Sequence, residues 1–125
     1  MQGKRLLIVG GVAGGASCAT RARRLSEEAE IILFERGPCV SFANCGLPYH
    51  VGRVIKREES LLVATPEIFE KRFNIRVHLN TEVLGIDRAA RLLEAKDLTT
   101  GEVRRESSDW LVLSPGARPV KPPVP

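Results

Sequence analysis

The sequence predicts an α/β fold: a parallel β-sheet entered through a glycine-rich strand, turn, helix and strand unit, with an antiparallel β-meander insertion before the last strand. Three observations predict it. Arg5-Leu6-Leu7-Ile8-Val9 is a short apolar run of the kind buried on both faces of a parallel sheet, and Gly10-Gly11-Val12-Ala13-Gly14-Gly15 follows at once. A second apolar run, Ile31-Ile32-Leu33-Phe34, ends in an acid, Glu35. From Thr81 onward the long runs give way to short segments separated by turn residues.

Each element follows in order. After the first strand and its glycines, Ala16 to Leu25 reads as a helix whose small face lies close to the sheet. Glu35 stands twenty residues past Gly15. Strand, glycine turn, helix, strand and terminal acid form a Rossmann-like dinucleotide fingerprint: pyrophosphate sits at the helix N-terminus and the carboxylate takes ribose hydroxyls. With Gly10 and Gly15 as the outer glycines, the middle position is Val12, so the ligand must approach a residue that carries a side chain. The alternative is a glycine turn that only packs a helix on a sheet. Thr65-Pro66-Glu67 is an N-cap, a first-turn proline and an early acid, opening a helix through Ile68, Phe69 and Phe73. Ile75 to Leu79 is a strand. Glu82 to Ile86, Leu92 to Ala95 and Glu102 to Arg105 form the meander, and Trp110 to Leu113 returns to a buried strand stopped at Ser114-Pro115-Gly116-Ala117. That last turn is expected beside the glycine turn, because ligands of open α/β sheets gather at the carboxyl ends of the strands.

The chain has 125 residues, 43% hydrophobic and 27% charged, which suits one globular domain. No apolar run is long enough to span a bilayer and no signal-peptide pattern opens the chain, so a cytoplasmic location and no membrane partner are expected. The net charge of +4 comes partly from Arg21, Arg23 and Arg24. With few aromatics and no nucleic-acid-binding motif, these read as a solvated helix face first and as a small-molecule phosphate site second. Arg118 to Pro125 holds four prolines and reads as a linker, making residues 1–117 the folded part and 118–125 a connection to something further.

Three cysteines, Cys18, Cys39 and Cys45, argue against a disulfide framework, and no Cys/His cluster suggests a metal. Cys18, on the first helix, reads as a small hydrophobe. Cys39 is either idle in a loop or able to pair with Cys45. Cys45 lies in Ser41-Phe42-Ala43-Asn44-Cys45-Gly46-Leu47-Pro48-Tyr49, where Asn44 is placed to cap a helix whose first turn is Gly46-Leu47-Pro48. It is either a reactive thiol at a helix end or an ordinary half-buried cysteine. His78, in a strand, reads as structural or exposed.

The glycine turn, Phe34-Glu35-Arg36, the Ser41 to Tyr49 segment, Thr65-Pro66-Glu67 and Leu113 to Ala117 resemble, in that order, the N-terminal FAD-binding segment of coenzyme A-disulfide reductases. These are the single-cysteine branch of the FAD-dependent pyridine nucleotide-disulfide oxidoreductases. Their close relatives are NADH oxidases, NADH peroxidases and coenzyme A-dependent persulfide reductases.

The resemblance implies roles at matching positions. Gly10, Gly11, Val12, Ala13, Gly14 and Gly15 hold the FAD pyrophosphate; Glu35 and Arg36 face the adenosine ribose, Val83 the adenine, and Ser114, Pro115, Gly116 and Ala117 the flavin side. Asn44 borders the cofactor and, with Arg21, Arg24 and Ser41, helps bind coenzyme A. Cys45 is the redox thiol, fed by NADH or NADPH through FAD, and it acts on coenzyme A disulfide or a related disulfide or persulfide through a mixed disulfide. In the oxidase and peroxidase relatives the matching cysteine cycles through sulfenic acid. The two-cysteine enzymes of the wider superfamily use a shorter cysteine spacing, which leaves Cys39 a bystander. The relatives continue into an NADH domain and a dimerisation domain, so these 125 residues alone are expected to be inactive and the complete enzyme a homodimer. A second function class is a nucleotide-binding redox module in which Cys45 is oxidised without turnover.

Overall fold

The computed structural model describes residues 3–124. Four strands form a parallel sheet in the order β3 (Ile75–His78), β2 (Glu30–Phe34), β1 (Arg5–Val9) and β7 (Trp110–Leu113). Three more, β4 (Thr81–Asp87), β5 (Leu92–Asp97) and β6 (Val103–Ser107), form the antiparallel meander, with a register shift between Val83 and Gly85. The helices are α1 (Ala13–Leu25), α2 (Leu47–Val51) and α3 (Pro66–Phe73).

Alternate side chains of a strand point to opposite faces, so a strand covered on both sides must be apolar throughout. That is how β1 and β2 are used. Leu6, Ile8, Ile31, Leu33 and Ile75 pack with Ala16 and Ala19 of α1 and Phe69 of α3, while Leu7, Ile32 and Phe34 pack on Leu93 and Ala95 of β5. Helices cover one face and the meander the other, and each fully buried Leu, Ile or Phe contributes about 2 kcal/mol. Cys18 is half-buried against the helical cluster, as a small hydrophobe would be.

Three expectations change. Helix α1 starts at Ala13, so Gly14 and Gly15 belong to its first turn; a helix from Ala16 would leave that turn without the close packing on the sheet that glycine permits. Strand β7 is an edge strand with Trp110 and Leu113 exposed, because among the described residues only β1 pairs with it. Most consequentially, Arg23 is not on a solvated face. It is buried, and all five of its N–H donors go to backbone carbonyls: Nε to Phe73 (2.7 Å), Nη1 to Ser26 (3.0 Å) and Glu27 (2.6 Å), Nη2 to Ala29 (2.7 Å) and Asn74 (2.9 Å). The end of α1, the approach to β2 and the end of α3 are thereby tied by one guanidinium. Arg21 and Arg24 remain exposed.

Thr65 is the N-cap of α3 and Pro66 its first residue, as the sequence predicts, and the Thr65 hydroxyl holds the Glu67 carboxyl below the usual carboxylate range. Residues 114–124 form no helix or strand.

Candidate functional site

At the carboxyl ends of the parallel strands lies a cleft of about 440 Å³, of the size that small-molecule ligands occupy. Its first wall is the turn between β1 and α1. Gly10 has φ +94° there, and a Cβ at this position would sit 1.9 Å from the Ser114 carbonyl oxygen, so only glycine lets the turn meet the end of β7. Gly15 is equally constrained, since its Cβ would lie 1.7 Å from the Gly10 carbonyl oxygen. The first-turn N–H groups of α1 lack partners within the helix, no acid precedes them, and Val12 caps nothing through its side chain. Exposed Ala13 and Gly14 let an anion come close to those donors, and the helix dipole favours it. Val12, which carries a side chain where the fingerprint has glycine, is half-buried, and the open surface lies one step along the helix.

The second wall is Glu35, which follows β2. Its Oε2 accepts the Gly11 N–H at 2.6 Å and its Oε1 the Gly37 N–H at 2.7 Å. Each oxygen keeps a further lone pair, so the carboxylate is oriented by backbone and still able to accept ribose hydroxyls. Arg36 reaches across the mouth to Glu82, 3.6 Å away. Val83 and Ser114 to Ala117 complete the lining, and Asn44 stands on the rim.

Of the residues singled out in sequence, the cleft gathers Gly10, Val12, Ala13, Gly14, Glu35, Arg36, Asn44, Val83 and Ser114 to Ala117. Gly11 and Gly15 lie behind it, buried, and shape it through packing and the Gly11 N–H. Arg21, Arg24, Ser41 and Cys45 do not line it. Sequence reasoning missed Val9, Phe34, Thr81 and Glu82. The rule that ligands gather beyond strand carboxyl ends, applied to the segment after β3 as well, would have found Thr81 and Glu82.

The thiol segment differs from its expected form. Residues Asn44–Gly46 make a 3-10 turn that runs into the five-residue α2; Ala43, not Asn44, precedes that turn, and no side chain caps it. The turn closes instead on backbone, through Gly46 N–H to Ala43 (2.9 Å) and Ala43 N–H to Leu61 (2.8 Å), and Asn44 faces the cleft. Cys45 is exposed and, like Cys18 and Cys39, a free thiol. No set of three or more His, Cys, Asp or Glu suited to a metal occurs among the described residues.

His78, at the end of β3, stacks on Phe34 with ring centroids 5.4 Å apart, and Arg104 lies over the same ring at 5.9 Å. Burial, then the nearby Arg104 and Arg76, push the imidazole below its ordinary pKa. Its position is structural, at the seam between the two sheets.

The family model described as pyridine nucleotide-disulphide oxidoreductase matches residues 4–125. A coenzyme A disulfide reductase of Staphylococcus aureus (strain JH9) is 44% identical over 113 residues, 90% of this chain and 26% of the relative. In structure, reduced Bacillus anthracis CoADR-RHD superposes with a TM-score of 0.94 at 50% identity over 100% of this chain and 22% of that one. An NAD-dependent persulfide reductase from A. fulgidus gives 0.90 at 35% identity, covering 96% and 22%. The chain thus spans about a quarter of the length of the curated relatives it matches.

Proposed function

The chain belongs to the pyridine nucleotide-disulphide oxidoreductase family, and from that premise we propose that it is the FAD-binding N-terminal part of an NAD(P)H-dependent reductase acting on coenzyme A disulfide or a related disulfide or persulfide. The observation that carries this reading is the convergence of the α1 N-terminus, Glu35, Val83 and Ser114 to Ala117 on one cleft, with Asn44 on its rim and Cys45 next in the chain.

The residues present fit a dinucleotide. The first turn of α1 offers N–H donors and a positive helix end to the pyrophosphate, Glu35 orients two acceptor oxygens toward ribose hydroxyls, and Val83 supplies an apolar contact for a base. What bound FAD supplies is a two-electron relay from NADH or NADPH toward the sulfur chemistry at Cys45.

The thiolate of Cys45 attacks one sulfur of the disulfide; the S–S bond breaks, a Cys45–coenzyme A mixed disulfide forms, and the first coenzyme A thiolate leaves. Two electrons drawn from NADH or NADPH, the only two that the reduction takes, then split the mixed disulfide, restoring the Cys45 thiolate and releasing the second coenzyme A thiol after it takes a proton. Ser41, Asn44 and the exposed Arg21 and Arg24 of α1 bind the coenzyme A moiety, the guanidinium groups pairing with its phosphates. Residues 1–117 form the cofactor-binding part and 118–125 a proline-rich linker, within a cytoplasmic homodimer.

The test is the intact mass of the natively purified protein under non-reducing conditions. A coenzyme A adduct mapped to Cys45 supports the reading. An unmodified or sulfenic Cys45 in a protein that consumes oxygen or peroxide with NADH redirects it to the oxidase and peroxidase chemistry. In the complete enzyme, a Cys39→Ser variant that keeps full turnover supports a single catalytic cysteine, whereas loss of turnover revives a dithiol mechanism.

A further inference from the structure

Ser41 carries a strained backbone at a point where two parts of the site meet. Five side-chain-bearing residues among those described have positive φ: Ser41 (56°), Arg53, Asn74, Asn80 and Arg91. The two asparagines accept this conformation readily, and Arg53 and Arg91 occupy exposed turns. Ser41 is half-buried and lies four residues before Cys45. It follows Val40, which is buried on Gly11.

Its peptide groups are engaged on both sides. The Ser41 N–H donates to the Gly11 carbonyl oxygen at 2.7 Å, and the Ser41 carbonyl accepts the Val63 N–H at 3.1 Å. Phe42 then bridges Leu62, and Ala43 donates to Leu61, so the thiol turn continues from this left-handed step. Gly11 in turn donates its own N–H to Glu35. One residue of the glycine turn therefore connects the ribose-facing carboxylate to the chain that carries Cys45.

We propose that Ser41 is a positioning residue for Cys45 and that it acts through its left-handed backbone, separately from any contact its hydroxyl makes with a ligand. This rests on Cys45 being the reacting thiol. Strain at a non-glycine residue persists where the surroundings over-determine it, and here both peptide neighbours do so.

The test separates backbone from hydroxyl in the natively purified, pre-reduced protein, with circular dichroism confirming the fold. Ser41→Thr keeps the hydroxyl but adds a β-branch that resists positive φ; Ser41→Asn loses the hydroxyl but accepts it. The readout is the rate at which iodoacetamide labels Cys45, located by peptide mass, with no substrate present. The expected result is a change of about tenfold in the threonine variant against less than about twofold in the asparagine variant, the span that a barrier change from misplacement produces. Equal rates in the two, or the larger change in asparagine, overturns the proposal. Should the threonine variant not fold, Ser41→Gly against Ser41→Ala decides: both lack the hydroxyl, and a glycine variant no closer to the natural labelling rate than the alanine variant overturns it as well. Labelling does not depend on which acceptor the enzyme reduces. A Cys45→Ser variant that still turns over would sink the reading of Cys45 while leaving the labelling comparison of Ser41 intact.

Discussion

The two ends of the parallel sheet are held in opposite ways. At the amino ends of the strands, side-chain cations do the fixing: Arg5 pairs with Glu106 at 2.8 Å and with Glu30, Arg76 reaches Glu30 at 3.5 Å, Asp109 accepts the Arg5 N–H at 2.8 Å, and Arg23 collects five carbonyls. At the carboxyl ends, backbone does it: Gly10 donates to Phe34 at 2.8 Å, Ser114 to Val9 at 2.7 Å and Ser41 to Gly11 at 2.7 Å, with the Glu35 carboxylate bound into the glycine turn. The two ends therefore serve different purposes. Charges at the first are consumed by one another and by backbone groups, while the second leaves helix N–H groups and carboxylate lone pairs available to a ligand.

The largest effect belongs to Gly15→Ala. Its Cβ would lie 1.7 Å from the Gly10 carbonyl oxygen, so the turn must open; urea unfolding should show a loss of about 3 kcal/mol or more, with FAD no longer retained. Arg23→Met comes next. It leaves five carbonyls without their donor and should cost about 3 kcal/mol, yet FAD affinity in the folded protein should stay within about twofold, because the cleft is at the other end. A large loss of affinity there would break the separation of the two ends.

Glu35→Gln should invert that pattern. FAD titration should weaken by about ten- to a hundredfold, while stability falls by only about 1 kcal/mol, since the amide oxygen still accepts one backbone N–H.

A pH series sharpens the contrast further. The folded protein holds His78 below its ordinary pKa, so as pH falls below about 6.5 the unfolded chain takes up a proton that the folded chain resists, and stability drops. The melting temperature should fall between pH 7 and 5, and His78→Phe should flatten that slope. The carboxylates of Asp97, Asp109 and Glu67, held low by hydrogen bonds from Thr99, from Arg5 N–H and from Thr65 respectively, act in the same direction but lower on the scale: their contribution is present above about pH 4 and is lost only as pH falls further. The smallest effect is Lys4→Ala. It removes an exposed ion pair to Asp109 at 3.4 Å and should shift stability by no more than about 0.5 kcal/mol.

Much of this arrangement was legible in the residues alone, because it is encoded by short-range rules. The strand period, the apolar runs of β1 and β2, the glycines that follow β1 and the proline opening α3 are short-range signals, and they sufficed to predict a parallel sheet, a meander and a glycine turn beside Ser114. The acid at Glu35 was legible by its distance from the glycines. Asn44, expected to cap a helix, caps none and lines the cleft instead.

The rest depends on partners far apart in the chain. Arg23 and Arg24 are adjacent and chemically identical, yet one is buried under carbonyls from residues 26, 27, 29, 73 and 74 and the other is solvated; the helical period puts only Arg23 on the face of Ala16 and Ala19, but that a guanidinium can be satisfied there depends on carbonyls supplied by distant segments. Ser41 reads as a turn former, and its left-handed backbone arises because Gly11 and Val63 hold its two peptide groups from separate segments. Local chemistry determines which element a stretch of chain can form. Which hydrogen-bonding groups remain free for a ligand is decided only when distant segments have taken the rest.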